Sequence, residues 1–255
     1  MCARLGSPLL AVHLRNKTFG RGNGRQILGN IDLEVAEREI VAILGPSGSG
    51  KTTLLRMIAG LDEDFEGQIL SRDEVVCGPS ARRGLVFQDA RLLAWRTVRQ
   101  NVEFGLPKSM RKEGPARVDE VLNLVGLAAA QHAWPRELSG GMEKRAALAR
   151  ALVGSPDLLM LDEPFGALDL QNRLALQDEL VALRERLGFS VLLVTHDIDE
   201  AVYLADRVII LGGVPAQVRE QVLIALPHPR DRLAEEFMQA RTRVLAHIVD
   251  TDHHR

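Results

Sequence analysis

The sequence predicts an α/β protein whose core is a mostly parallel β-sheet flanked by helices. Three observations predict this fold class. The last third of the chain alternates short apolar runs with amphipathic segments, the first third consists of strand-like runs, and the stretch from about residue 97 to 153 has helical periodicity. Strands that alternate with helices indicate parallel pairing. The other two stretches add an N-terminal antiparallel β subdomain and an inserted α-helical subdomain.

The first third contains the strand-like runs "PLLAVHLR", "QILGNIDLEV" and "EIVAIL". The glycine-rich stretch from Gly20 to Gly24 predicts a turn between the first two runs. "GPSGSGKTT" then interrupts the strand pattern, and "TLLRMIAG" is helical. "GQIL" and "GLVFQ" are two further strand candidates, and the helical pattern of the middle third follows them.

In the last third, "DLLMLDEP", "SVLLVTHD" and "RVIIL" predict buried strands separated by helices. The helix "LQNRLALQDELVALRERLG" should end at Gly188, because glycine readily ends a helix in the left-handed conformation. A C-terminal amphipathic helix places four apolar residues on one face: Leu233, Phe237, Val244 and Ile248.

We divide the chain into a core of residues 1–90 and 154–225, a helical subdomain of residues 91–153, and a C-terminal helix and tail of residues 226–255. The two adjacent histidines of the tail favour a solvated chain end over a metal site. No internal repeat or low-complexity segment interrupts this organisation.

The composition gives little reason to expect a nucleic-acid partner, because the formal net charge over 255 residues is only −2. Cys2 and Cys77 lie far apart, which favours free thiols in a reducing compartment over a metal site. No run approaches the roughly 18 apolar residues of a membrane span. We therefore expect a soluble, cytoplasmic protein that could still dock to a membrane protein.

The stretch from Gly45 to Thr52 matches the pattern G-x-x-x-x-G-K-[ST], follows an apolar strand and opens a helix. This is the context in which backbone N–H groups and the positive end of a helix bind phosphate. Lys51 is then expected to reach the β- and γ-phosphates, and the Thr52 hydroxyl to bind Mg²⁺. The core is therefore predicted to be that of a P-loop NTPase; the alternative is a glycine-rich turn.

"LLMLDEP" places two adjacent carboxylates at the end of a buried strand. Buried carboxylates are costly unless a cation compensates them. Asp162 is the predicted magnesium ligand, and Glu163 is the predicted group that polarises the attacking water. The alternative is an acidic surface turn.

Six motifs in order resemble those of the ATP-binding cassette (ABC) family, and together they span most of the chain. "GPSGSGKT" resembles the Walker A loop, "VFQD" the Q-loop with Gln88, and "LSGG" the ABC signature. "LMLDEP" resembles Walker B, "ALD" the D-loop with Asp169, and "VTHD" the switch region with His196.

The resemblance implies a second phosphate contact at "LSGG". In this family the Walker A loop of one chain and the signature of another close over the same ATP, so Ser139, Gly140 and Gly141 would bind a nucleotide held by the partner. The alternative is an N-cap serine with tight helix packing. His196 would contact the γ-phosphate, orient Glu163, or both. Phe19 stands where the family stacks an aromatic ring on adenine; core packing is its alternative role.

The implied cofactors are ATP and Mg²⁺. The predicted catalytic residues are Lys51, Glu163 and His196, and the predicted magnesium ligands are Thr52, Gln88 and Asp162. The predicted nucleotide-binding residues are Phe19, Gly45, Pro46, Ser47, Gly48, Ser49, Gly50, Lys51, Thr52, Thr53, Gln88, Ser139, Gly140, Gly141 and Asp169.

The resemblance also implies partners: integral membrane permease subunits, a second copy of the cassette, and indirectly a periplasmic substrate-binding protein. The implied location is the cytoplasmic face of the inner membrane. Leu92, Leu93 and Trp95 lie on a predicted surface loop and are candidates for the permease contact. A small separate core under that loop is the alternative.

Within the family, "FQDARLLAW", "GFSVLLVTHDIDEAVYLADRVIIL" and "LPHPRDR" resemble importer cassettes for aliphatic sulfonates, with taurine and nitrate as alternative cargoes. Met142 and Lys144 stand where glutamine is common in the signature region, and Arg38 stands where glycine is common. A soluble ABC-type ATPase acting on DNA or ribosomes is a rival interpretation, but the chain has one cassette and no heptad insert. A non-hydrolytic scaffold is a second rival, and intact Lys51, Glu163 and His196 argue against it.

Overall fold

A computed structural model describes residues 7–19, 24–110, 112 and 114–252. It divides into two compact units, the first comprising Met1–Pro79 and Ser190–Arg255 and the second Ser80–Phe189. Residues 20–23 of the predicted turn, Cys2 and the tail histidines lie outside the described residues.

The described residues contain eleven strands and seven α-helices. The strands are β1 Leu10–Phe19, β2 Arg25–Leu28, β3 Ile31–Val35, β4 Ile40–Leu44, β5 Glu66–Ser71, β6 Glu74–Val75, β7 Arg83–Val86, β8 Leu158–Asp162, β9 Ser190–Thr195, β10 Arg207–Gly212 and β11 Gln217–Leu223. The helices are α1 Lys51–Ile58, α2 Val98–Phe104, α3 Gly114–Leu124, α4 Gly140–Leu152, α5 Leu170–Leu187, α6 Ile198–Leu204 and α7 Glu235–Asp252. The predicted α/β fold class is confirmed.

The N-terminal sheet of the first unit is antiparallel and centres on β1. This strand pairs antiparallel with β2, β3 and β5. From Val12 to Arg15 the burial alternates: Val12 and Leu14 are buried, whereas His13 and Arg15 are exposed. A period of two is the pattern of a strand with one face on a core. The predicted antiparallel β subdomain is therefore present.

The same unit contains a parallel group of strands. β4 pairs parallel with both β9 and β10, and β11 adds an antiparallel edge strand to β10. Every residue of β4 and β9 is buried, as expected for parallel strands covered on both faces. Sequence patterns missed β11, because most of its residues are at least partly exposed and no clear period marks it.

The C-terminal helix α7 packs on α6, β10 and β11, and Phe237, Ala240 and Val244 are buried on it. The prediction that Leu233 shares this face is wrong, because Leu233 precedes the helix and is 92% exposed. The carboxylate of Asp231 accepts a hydrogen bond from the Leu233 N–H at 2.9 Å. That side-chain turn favours a start of the helix further along the chain.

The second unit combines a parallel strand pair with helices. β7 pairs parallel with β8, and α4 packs on α2, α3, α5 and β7. Helices α2, α3 and α4 account for the helical periodicity of the middle third. The predicted end of α5 at Gly188 is confirmed, because this residue caps the helix with a φ of 74°.

The turn between β3 and β4 contains Arg38 with a φ of 59°. The N–H of Glu39 donates to the carbonyl of Ala36 at 3.3 Å, so Arg38 is the third residue of a four-residue turn. Positive φ at this position is typical of turns that favour glycine. The sequence departure at Arg38 therefore places a side chain in a strained backbone conformation.

We predict that Arg38→Gly stabilises the first unit by about 0.5–1 kcal/mol, because release of left-handed strain exceeds the extra chain entropy of glycine. The measurement is the midpoint of chemical denaturation. Arg38→Ala is the matched control, since alanine removes the same side chain but keeps the strain, and should give no gain. Equal midpoints for the glycine and alanine variants would contradict this account.

Candidate functional site

The phosphate-loop candidate connects β4 to α1 in the first unit. Lys51 is the first residue of α1, and its Nζ donates to the carbonyl oxygens of Gly45 and Pro46, both at 2.8 Å. The Lys51 residue is only 6% exposed. The amine is therefore folded back over the loop, at the positive end of the helix.

The Ser49 hydroxyl oxygen of the same loop is buried without a hydrogen-bond partner. Buried polar atoms are nearly always paired, so an unpaired one in a native fold points to a ligand. A cavity of about 160 Å³ adjoins the loop and is lined by residues 25–27, 46–49, 213, 214 and 216. The loop therefore fits a phosphate group by its donors and by the space beside it.

Two glycines of the loop adopt positive φ, 79° at Gly48 and 84° at Gly50. A Cβ atom added at Gly48 would have no neighbour within 4 Å. At Gly50 it would lie 2.7 Å from Leu28 Cδ2 and 2.9 Å from Ile27 Cγ2. Both positions need glycine for their conformation, and only Gly50 also needs it for space.

Phe19 ends β1 and is 48% exposed, so it is not a core side chain. Below it, Lys17 is buried, and its Nζ lies 5.1 Å from the centroid of the Phe19 ring. Lys17 also donates to the Asp62 carboxylate at 2.8 Å. An exposed ring fixed in this way is suited to stacking on a planar ligand.

His196 directly follows β9 and is exposed. Leu44 pairs with Thr195 in the parallel register of β4 and β9, so the phosphate loop and His196 start at the same edge of the sheet. The Thr195 hydroxyl donates to the Glu200 carboxylate at 2.7 Å and accepts from the Asp197 N–H at 3.0 Å. These bonds fix the backbone on both sides of His196.

Sequence reasoning did not single out Thr195, Asp197 or Glu200. Asp197 caps α6 by accepting from the N–H groups of Asp199 and Glu200 at 2.8 and 3.2 Å. The signal was available, because an aspartate followed three residues later by a glutamate is a helix-start pattern.

In the second unit, Asp162 ends β8 with 6% exposure and Glu163 follows it. Val86 pairs with Leu161 in the parallel register of β7 and β8, so Gln88 and Glu163 lie at one edge of this strand pair. The Gln88 Nε2 donates to the Glu163 Oε2 at 3.3 Å. The structure therefore brings together the amide and the carboxylate that the motifs predicted.

Glu163 has a φ of 44°, which is rare for a residue that carries a side chain. Such conformations cost about 1–3 kcal/mol and cluster at functional sites. The strain turns the chain sharply after the buried strand β8. Glu163 is therefore a strained residue at the position where the motifs predict the catalytic acid.

Ser139 is the N-cap of α4, and its Oγ accepts from the Met142 N–H at 3.3 Å. The alternative N-cap role thus describes this side chain within the single chain. A Cβ atom added at Gly140 would lie 3.7 Å from Leu168, and one at Gly141 would lie 3.4 Å from Asn172. Both are ordinary contact distances. Among the described residues, nothing forbids side chains at these two glycines.

Asp169 is the N-cap of α5, and its carboxylate accepts from the Asn172 N–H at 3.0 Å. The Asn172 backbone and side-chain hydrogen bonds lower the pKa of this exposed carboxyl group. Asp169 therefore stays ionised at the positive end of α5.

The described residues contain no group of three or more His, Cys, Asp or Glu side chains suited to holding a metal. Magnesium is commonly held by one or two carboxylates, with phosphate oxygens and waters completing its shell. Of the predicted magnesium ligands, Gln88 and the carboxylate of Asp162 lie in the second unit, and the Thr52 hydroxyl lies in the first. In the described part of the chain, no helix has the length and apolar composition needed to cross a bilayer.

Comparison with known proteins identifies the family. The family described as "ABC transporter" matches residues 28–166. The chain belongs to the ABC transporter family. The chain is an ATPase of this family. The resemblance that the six motifs carry is confirmed.

Relatives match over most of the chain. An aliphatic sulfonates import ATP-binding protein, SsuB 1, of Xanthomonas axonopodis pv. citri is 47% identical over 95% of this chain and 97% of its own length. The SsuB protein of Bacillus subtilis is 41% identical over 95% of both chains. An uncharacterized ABC transporter ATP-binding protein of Methanocaldococcus jannaschii is 47% identical over 90% of this chain and 86% of its own.

Two solved structures are similar. One is an ATP-binding cassette in a dimeric post-hydrolysis state bound to ADP and Pi, with a TM-score of 0.74 and 31% identity over 86% of this chain and 100% of that chain. The other is cbiO1 from Clostridium perfringens, part of an ABC transporter complex, with a TM-score of 0.74 and 28% identity over 96% of this chain and 100% of that chain.

We predict that Gly50→Ala destabilises the protein more than Gly48→Ala. Both variants place alanine at positive φ, which costs about 1–2 kcal/mol. Only Gly50→Ala also forces a methyl group against Leu28 and Ile27, which adds about 1–3 kcal/mol. Chemical denaturation of the two variants measures the difference. Equal losses, or a larger loss for Gly48→Ala, would contradict the packing given for this loop.

Proposed function

We propose that the chain is the ATP-hydrolysing subunit of an importer whose cargo is an aliphatic sulfonate. The observation that carries this proposal is the 41–47% identity to aliphatic sulfonate import ATP-binding proteins over about 95% of the chain. The match extends well beyond the nucleotide motifs, into the helical region and the C-terminal segment. Taurine, nitrate or another small anion is the alternative cargo.

In the first unit, residues 45–53 are proposed to bind the phosphates of ATP. The unpaired Ser49 hydroxyl, the N–H groups at the start of α1 and the Lys51 amine are the donors. Lys51 would exchange its two loop carbonyls for phosphate oxygens, which supports a role in stabilising transferred charge. The Thr52 hydroxyl is the proposed magnesium ligand of this unit, and Phe19 the proposed support for adenine.

In the second unit, Gln88 and Asp162 are the proposed magnesium ligands, and Glu163 the residue that orients the attacking water. Bound Mg²⁺ would neutralise charge on the transferred phosphate. The Gln88 amide donates to one oxygen of the Glu163 carboxylate and so helps to orient it. His196 is proposed as the sensor of the γ-phosphate, since both of its flanking residues are fixed by hydrogen bonds.

The signature residues Ser139, Gly140 and Gly141 are proposed to contact ATP held by a second copy of the chain. Side chains would fit at both glycines within a single chain, so packing inside the chain does not explain why these two positions are glycine. Close approach of another chain to the start of α4 does explain it. Asp169 of the D-loop is proposed to join the same contact.

A permease is the proposed partner of the helical region. Trp95 is 72% exposed and Phe104 is 62% exposed. Phe104 also lines an open groove of about 540 Å³, together with Arg96, Glu103, Leu106, Gly114 and Pro115. Exposed aromatic residues beside a groove are typical of docking surfaces. The proposed location is accordingly the cytoplasmic face of the membrane, with a periplasmic binding protein delivering the cargo.

We predict that Glu163→Gln abolishes cargo uptake in living cells. The amide keeps the shape of the side chain but cannot polarise water, so hydrolysis should fall by at least about a hundredfold. The measurement is uptake of a labelled alkanesulfonate by cells that lack the native copy and carry either the wild-type chain or the variant. Glu185→Gln, an exposed carboxylate on α5, is the matched control and should restore uptake fully.

Uptake of the alkanesulfonate at the wild-type rate with Glu163→Gln would contradict the role of Glu163. Uptake that is unchanged in cells lacking the chain altogether would contradict the importer assignment. Loss of taurine or nitrate uptake with intact alkanesulfonate uptake would move the cargo to the alternative anion and leave the importer role in place.

A further inference from the structure

We propose that Lys144 is a positioning residue for hydrolysis, because it holds the backbone of Gln88 where the Gln88 amide reaches Glu163. The inference rests on the proposed roles of Gln88 and Glu163. Lys144 stands in the signature region where the family commonly has glutamine, and no role was assigned to it from the sequence.

The contact is direct and is made by the charged end of the side chain. Lys144 lies near the start of α4, and its Nζ donates to the carbonyl oxygen of Gln88. The apolar stem lines a small cavity of about 20 Å³ with Val86, Leu148 and Leu161. The residue is half-buried, with its stem beside apolar side chains and its charge at the tip.

The charges around Lys144 support the same arrangement. Burial lowers the pKa of the Lys144 amine, and the carboxylates of Asp89 and Glu143 oppose that shift. Asp89 directly follows Gln88, so it draws the amine toward the loop. A hydrogen bond from a charged donor to a carbonyl is stronger than a neutral one.

The rest of the loop is held independently of Lys144. On the same helix, Arg150 donates through Nη2 to the Ala90 carbonyl and through Nη1 to the Arg91 carbonyl, both at 2.7 Å. From α2, the buried Asn101 accepts from the Leu93 N–H at 2.7 Å and donates to its carbonyl at 3.2 Å. Removal of the Lys144 amine should therefore release the Gln88 end of the loop and leave its other end in place.

Of the residues in this loop, Gln88 is the one whose position decides whether the contact to Glu163 forms. The Gln88 Nε2 to Glu163 Oε2 distance of 3.3 Å lies at the long limit of a hydrogen bond. A small further displacement would break it. Lys144 shares α4 with the signature residues, so the backbone of Gln88 is tied to the helix that starts at Gly140.

The side-chain length explains why lysine is suited to this contact. A lysine amine lies one bond further from the backbone than a glutamine amide, and it carries a positive charge. Arginine is longer still and retains both the charge and the donors. Methionine keeps most of the apolar stem and loses the donor, so it isolates the contact to Gln88.

The test is a double-mutant cycle on steady-state ATP hydrolysis by the full chain. Lys144→Met should lower kcat about tenfold, because displaced catalytic groups lose rate steeply. KM for ATP should change by less than kcat does, since the phosphate loop with Lys51 and Thr52 is untouched. In a Gln88→Ala background, Lys144→Met should have no further effect on kcat, because its only route to the reaction has been removed.

Two controls separate positioning from general damage. Lys144→Arg should retain kcat within about threefold of wild type, because it keeps a charged donor. Arg136→Met removes an exposed cation of the same unit and should leave kcat unchanged. Hydrogen exchange of the amides of Gln88 and Asp89 should rise in Lys144→Met and not in Arg136→Met, and that of residues 90–93 should stay unchanged in both. If Lys144→Met does not fold, Lys144→Leu, which also lacks a donor, enters the same cycle.

The outcomes distinguish this inference from the proposed function. If Gln88→Ala alone leaves kcat at the wild-type value, the proposed role of Gln88 fails, and this inference fails with it. If Gln88→Ala lowers kcat and Lys144→Met adds its full tenfold loss on top, only the positioning role is overturned. The positioning role is also overturned if the activity lost in Lys144→Met appears as a raised KM for ATP instead of a lowered kcat, or if kcat of Lys144→Met equals that of wild type.

Discussion

Parallel pairing of strands is the constraint on which both units of this protein depend. Two parallel strands in register end level, so the loops that leave them begin at the same edge. In the first unit this brings the phosphate loop after β4 beside His196 after β9. In the second it brings Gln88 after β7 beside Glu163 after β8. The strand pairing in each unit thus also positions the polar residues that follow the strands.

Backbone conformation and hydrogen bonds then fix the residues that the paired strands bring to one edge. Positive φ at Gly50 and at Glu163 turns the chain sharply where a strand gives way to a loop or helix. Polar side chains fix the remaining freedom: Asp197 and Thr195 hold the backbone around His196, and Lys144 holds that of Gln88. Reactive groups placed by backbone and hydrogen bonds need little reorganisation when the reaction occurs, which is what phosphoryl transfer requires.

The sequence predicted most of the strands and helices and the site motifs, because each is marked by a local pattern. Buried runs such as β4 read as continuous apolar stretches, and Gly188 marks the end of α5. What it could not predict depends on contacts between distant residues. Lys144 meets the Gln88 carbonyl across 56 positions, and no spacing rule reports this. Leu233 was misplaced because one carboxylate favours a turn where periodicity favours a helix.

The central claim is that each chain holds two half-sites for ATP, the phosphate loop and the start of α4 with its two glycines. Each half-site acts only when it meets the other half-site of a second chain. The room left at Gly140 and Gly141 is the structural argument for it. The most direct test is the specific rate of ATP hydrolysis by the purified chain over a wide dilution series, with Ser139→Arg in parallel. The account predicts a rate per chain that falls on dilution, and almost no rate for Ser139→Arg despite normal ATP binding. A rate per chain that stays constant down to monomer concentrations would contradict it.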